Sequence, residues 1–200
     1  MVISEKQKLM LFGNLFQGIL IGLAIPVLHK TLYTNIPSQL IAAENFVVCI
    51  AGLLVSGLWE KIQKRILKHY LKLEIFESII WTTYCTFLAF NINKPWFAKA
   101  YMIIDIAFYV FFGVVISKCL STWRTLLFPN PQEKINADSA FEFFGNLSTI
   151  IGCGLATIIS IPVWLCLPFY IVGDLGRTLM NLITFKKYKT YILENEEKRK

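Results

Sequence analysis

The sequence predicts an all-α membrane protein with six transmembrane helices and both termini in the cytoplasm. Three observations carry that expectation. The 200-residue chain is 56% hydrophobic and only 16% charged, against about 25% charged residues in soluble domains. Apolar runs of about 20 residues, the length at which a helix crosses a bilayer, recur along it. The basic residues gather between those runs rather than along one face of them.

The length fits a single domain over 1–200, with a basic tail at 186–200. The first span, about 9–28, reads LMLFGNLFQGILIGLAIPVL. It is longer than the apolar core of a signal peptide and no A-x-A site follows, so it is expected to be retained. The second, about 40–59, runs into GLLVSGLWEKIQKRILKHY, where the apolar part stops at Trp59 and a basic part follows end to end. A soluble amphipathic helix would interleave the two with period 3.6. The third, about 71–90, carries Lys72, Glu74 and Glu77 in its first two turns, and the fourth, about 96–119, contains Asp105. After the polar link NPQEKINADS, an uncharged run extends from Phe143 to Gly173. It is read as two spans, about 140–160 and 163–185, joined at IPVW, where Pro162 cannot continue a helical hydrogen-bond ladder.

Charge placement selects six spans over five. With the N-terminus inside, 17 of the 20 Lys and Arg fall on the cytoplasmic side, and only Lys30, Lys94 and Lys99 fall outside. Five spans would export the basic tail KKYKTYILENEEKRK, against the positive-inside rule. Trp59, Trp96, Trp123 and Trp164 fall near span ends, as interfacial anchors do, whereas Trp81 falls in the middle of span three.

Composition also excludes classes. The net charge of +7 lies between apolar runs and not on a polar domain, so no nucleic-acid partner is expected. The bilayer is the expected partner. Cys49, Cys85, Cys119, Cys153 and Cys166 form no CxxC pair and read as small hydrophobes. With only His29 and His69 beside them, neither a metal site nor a cofactor is expected. No Ser–His, Glu–His or clustered-Asp set appears in mid-membrane, so no catalytic residue is named and an enzyme is not expected.

Ionisable groups in lipid are costly, so each is a site candidate. Asp105, flanked by apolar residues in AYMIIDIAFYVFFG, is the first choice for solute binding or proton coupling. Asn14 and Gln17, three apart on one face of span one, are expected to support it, with Glu44 as a further candidate beside Asn45 in span two. Glu77 and Asn146 are weaker candidates. Asp174 and Arg177, also three apart, are expected to form an intrahelical ion pair. Gly18 with Gly22, and Gly52 with Ser56, are small-xxx-small pairs of the kind that let helices approach closely.

Two stretches resemble the major facilitator superfamily. That family has a loop of the form G-x-L-x-D-R-x-G-R-R between its second and third helices. Setting Glu60 at the acid places Ser56 at the first glycine, Leu58 at the leucine, Lys61 at the first arginine, Gln63 at the second glycine, and Lys64 and Arg65 at the final basic pair. The charge order is kept and both glycines are replaced. The stretch ADSAFEFFGNLSTIIGCGLA at 137–156 is similar to the family's fifth helix, with spaced glycines at Gly145, Gly152 and Gly154. The antiporter proline–glycine motif is absent, and Asp105 is the charged residue of a fourth helix that often carries an Arg in the family.

The resemblance implies a facilitator-half-like bundle. Family members have two six-helix halves related by an axis along the membrane normal. A second copy of this chain, or another six-helix half, would supply the missing part. The expected function is a half-sized secondary carrier of a small solute in the cytoplasmic membrane, working as a dimer by alternating access, with Glu60, Lys61, Lys64 and Arg65 as an orientation or gating loop. Two other readings share the same six spans. One is an accessory or immunity protein for an exported peptide. The other is the substrate-capture subunit of an ATP-driven importer.

Overall fold

The computed structural model describes residues 3–33, 36 and 38–198. Among them lie six helices long and apolar enough to cross a membrane. They are α1 (Glu5–Tyr33), α2 (Ser38–Lys68), α3 (Tyr70–Phe90), α4 (Phe97–Leu127), α5 (Pro131–Ile158) and α6 (Val163–Lys198). No described residue lies in a strand.

Several helices run past the apolar segments that define them in the sequence. The stretch EKIQKRILK, expected as a loop, is the last part of α2, and His69 alone separates it from α3. Its residues are nearly all strong helix formers, and the glycines that would break it are missing. The link NPQEKINADS is also mostly helical. Asn130 caps α5, accepting a hydrogen bond from the Gln132 amide at 2.9 Å, and Pro131 stands at the first helical position, where its missing N–H costs nothing. Within α4, residues Tyr109–Gly113 form one π-helical turn.

α1 is the centre of the bundle, packed along α5 on one side and α6 on the other. α3 packs on α6, α2 on α4, and α4 makes lesser contacts with α3 and α6. Glycines make the first of these seams possible. A Cβ on Gly22 would meet Gly152 Cα at 3.0 Å, and one on Gly152 would run into the Ile19 carbonyl oxygen. Gly18 faces Ser148 in the same way. The other small pair does not work like this, because nothing lies within 4 Å of a Cβ placed on Gly52. Ser56 instead accepts a hydrogen bond from Lys118 Nζ at 3.5 Å.

The core is divided. One hydrophobic cluster, at the end that carries both termini, gathers Met10, Leu67, Tyr70, Trp123, Phe185 and Ile192. The other gathers Ala24, Leu28, Tyr84, Leu88, Met102 and Leu167 at the opposite end. At the first end, Lys6 and Asn195 donate to the last carbonyls of α4, at 3.2 Å to Leu127 and 2.9 Å to Leu126, satisfying groups a helix terminus leaves open. The outer faces are apolar: Phe46, Leu53, Leu54 and Leu58 of α2 are all more than half exposed. Such a surface suits lipid and not water.

Two expectations change here. Trp59 and Trp123 are core residues, not interfacial anchors. Trp123 has no exposed surface, and Trp59 is buried with its indole donating to Thr122 at 2.9 Å. The extensions of α2, α4 and α6 cover them. Trp96 and Trp164 are exposed. Among the cysteines, Cys85, Cys119 and Cys166 are buried and Cys153 half-buried, but Cys49 is exposed on α2.

Candidate functional site

Four helices carry a polar layer between the two hydrophobic clusters. On α6, Asp174, Arg177, Thr178 and Asn181 recur at helical spacing, so they share one face. On α3, Glu74, Glu77, Ser78 and Trp81 do the same. Gln17 of α1 lies midway between Met10 and Ala24, which belong to opposite clusters. Asp105 of α4 lies between Met102 and Ile116, which also belong to opposite clusters.

This layer lines a partly open cavity of about 350 Å³, walled by Gln17, Glu74, Glu77, Asp105, Asp174 and Arg177 together with aromatic side chains of α3, α4 and α6. The geometry inside is specific. Arg177 Nη2 donates to Asp174 Oδ1 at 2.8 Å, and Gln17 Nε2 donates to the same oxygen at 3.4 Å. Ser78 donates to Thr178 across the α3–α6 seam at 3.2 Å. Glu74 has 1% of its surface exposed and Asp174 8%. The Tyr70 hydroxyl and the Asn181 amide stand beside Glu74, yet Glu74 Oε2 accepts no hydrogen bond from the described residues, nor does Asp174 Oδ2. Trp81 and Phe108 also line it, ring centroids 4.9 Å apart. The π turn of α4 adds Tyr109 and Gly113 to the wall. Such turns recur at functional sites, since the extra residue re-aims the side chains around it.

The sequence candidates separate on this map. Asp105 and Gln17 line the cavity. Asn14 is half-buried on α1 and Glu44 half-buried on α2, and neither lines it. Glu44 instead faces Asp105, carboxyl to carboxyl, across the α2–α4 seam. Glu77, the weaker candidate, is in the wall, whereas Asn45 and Asn146 are exposed. Glu60, Lys61, Lys64 and Arg65 are exposed near the end of α2, away from the chamber. The His29 side chain and residues 199–200 of the basic tail lie outside the described residues. Among the described residues no three His, Cys, Asp or Glu converge as metal ligands.

Glu74, Tyr170 and Trp81 were not among the candidates. Trp81 carried a signal, being the one Trp away from a span end. Glu74 was visible only as one of three charges at the start of span three. Its alignment with Glu77 on the α6-facing side depends on which face α3 turns inward.

Six helices long and apolar enough to span a membrane, four of them lining a charged chamber, define a multi-pass helical membrane protein. No family model, no curated protein and no solved structure matches this chain.

Proposed function

We propose that the chain is a half-sized secondary carrier of a small solute, related to the major facilitator superfamily and working as a dimer by alternating access in the cytoplasmic membrane. The observation that carries the reading is the depth of the polar chamber. It lies between two apolar clusters, on four helices at once. Charges at mid-depth are costly and mark solute or proton pathways, and carriers bind at the midplane.

The helix contacts give further support. Exchanging the first three helices for the last three, in order, turns the α1–α5 contact into α4–α2, returns α3–α6 to itself, and turns α1–α6 into α4–α3, all of which exist. The α4–α6 and α2–α3 contacts have no partner of comparable extent, and α4–α3 is much slighter than α1–α6. This approximate exchange is the pattern of a three-plus-three repeat nested in a six-helix half. In this reading both termini are cytoplasmic, Lys61, Lys64 and Arg65 fix orientation, and a second copy in the same orientation completes the pathway by a two-fold axis.

The test is mass measurement in lipid nanodiscs combined with solute flux in proteoliposomes. A dimer with saturable flux is expected. A strict monomer that transports removes the dimer. A chain that drives no flux and co-purifies with a second protein belongs to the accessory class.

A further inference from the structure

The chamber is lined by more acidic side chains than basic ones. Four carboxylates and one guanidinium line it. Arg177 is committed to Asp174 at 2.8 Å, which leaves Glu74, Glu77 and Asp105 without a cation of their own in the wall. An anion entering this space meets net repulsion, and a cation meets attraction.

The free acceptors refine the ligand. Glu74, 1% exposed, and Asp174, 8% exposed, line the cavity, and Asp174 Oδ2 accepts no hydrogen bond from the described residues; nor does Glu74 Oε2, although the Tyr70 hydroxyl and Asn181 amide stand beside Glu74. A buried acceptor left open is costly, and a ligand that brings N–H groups removes that cost. A quaternary cation has none to bring. A hard metal ion requires several oxygens converging on one point, and the described carboxylates do not form such a group.

Part of the wall is aromatic. Trp81, Phe108, Tyr109 and Tyr170 line the chamber. Trp81 stands one helical turn from Glu77 on the same face of α3. A ligand with its charge at Glu77 therefore lays its body along Trp81 and Phe108. Aromatic faces shelter an apolar body and attract the adjoining positive charge. The volume, about 350 Å³, falls within the range of small-molecule sites.

We propose that the chamber binds a protonated organic amine, its ammonium held at Glu77 with a further N–H directed at the open oxygen of Asp174 or Glu74, and its apolar body against Trp81 and Phe108. The proposal rests on the chamber being a solute site, but it does not require that the solute crosses the membrane.

Equilibrium calorimetry on the full chain in lipid nanodiscs tests it with four probes: 2-phenylethylammonium, its N-trimethyl derivative, 2-phenylethanol, and sodium ion alone. The primary ammonium is expected to bind roughly tenfold more tightly than the trimethyl compound, which keeps the charge but brings no donor. The alcohol is expected to bind more weakly still, and sodium not to compete. Glu77→Gln is expected to weaken the ammonium about tenfold, with Glu77→Asp restoring most of the loss. If Glu77→Gln does not fold, Trp81→Leu replaces it, and a clear loss of affinity is again expected. The proposal is overturned if the alcohol or the trimethyl compound binds as well as the ammonium, if sodium displaces it, if no amine binds to folded protein, or if a folded chamber variant keeps full affinity. Amine binding without flux would remove the carrier reading and leave this one standing. Flux of another solute without amine binding would do the reverse.

Discussion

Arg177 reaches back one turn along α6 and holds Asp174 Oδ1 at 2.8 Å, in a layer otherwise walled by three more carboxylates. The pair is mostly buried, with side-chain exposures of 27% and 11%. Removing one partner of a buried pair leaves an uncompensated charge and costs about 3–5 kcal/mol. Arg177→Gln is expected to lose about that much, because Asp174, Glu74 and Glu77 then face one another unbalanced. The double variant Asp174→Asn with Arg177→Gln is expected to lose less than Arg177→Gln alone. Thermal unfolding in detergent reads both, and equal melting points for Arg177→Gln and the parent would show that the pair contributes nothing.

The α1–α5 seam is set by glycine. Gly152→Leu forces a side chain into the Ile19 carbonyl and the Gly22 backbone. Overpacking of this kind costs about 1–3 kcal/mol where the structure yields and more where backbone meets backbone. Gly152→Leu is expected to lower the melting point strongly or prevent folding. Gly52→Ala, with open space at its Cβ, is expected to leave it within a degree or two of the parent, about 0.5 kcal/mol or less. A result in which Gly52→Ala is as harmful as Gly152→Leu would contradict this packing.

These two cases mark how far the sequence could be read. Six membrane-crossing helices were legible because a bilayer imposes a length and a polarity on each. Both glycine pairs had the same spacing, and spacing cannot say which pair meets a neighbour, since lipid and a packed helix present equally apolar surroundings. The chamber shows the same limit. Asp105 stood out because nothing polar surrounds it in the chain, whereas Glu74 was hidden among charges near a span end. Asn14 and Gln17 share a face by spacing, yet only Gln17 reaches the cavity, because α1 divides its circumference between α5 and α6. The basic end of α2 reads as a loop because its charges follow an apolar run, yet its helix formers carry the helix on to Lys68.

α2 has only three buried residues, and one of them, Trp59, donates to Thr122 of α4 at 2.9 Å. Trp59→Phe keeps much of the packing and deletes the donor. A loss of about 1 kcal/mol is expected, and Thr122→Val should lose a similar amount, with the double variant falling short of the sum. Additive losses in the cycle would mean that the two side chains do not interact.

Orientation is expected to follow the basic end of α2. With a membrane-impermeant thiol reagent on intact cells, Asn93→Cys is expected to react and Ser139→Cys to be protected. Neutralising Lys61, Lys64 and Arg65 together weakens the inside bias, so a fraction of Ser139→Cys should become reactive. Reaction of Ser139→Cys in the otherwise unaltered chain would place this end of the bundle outside.

Asp105 joins two environments. It lines the chamber on one side and faces Glu44 of α2 on the other. Two adjacent carboxyls repel when both are charged, so the pair is the expected place for a proton to be exchanged. In the carrier reading, a solute cation drawn into the chamber would favour loss of a proton from this pair and so couple solute binding to proton movement. Asp105→Asn keeps the shape and the hydrogen-bonding capacity toward Glu44 but removes the exchangeable charge. It is expected to abolish uptake in proteoliposomes while leaving membrane insertion and the melting point near those of the parent. Glu44→Gln, outside the chamber wall, is expected to reduce uptake several-fold without abolishing it, because Asp105 keeps its carboxyl but loses the acidic neighbour. If Asp105→Asn transports at the parental rate, the α2–α4 contact is a structural hydrogen bond, and coupling must be sought at Glu77.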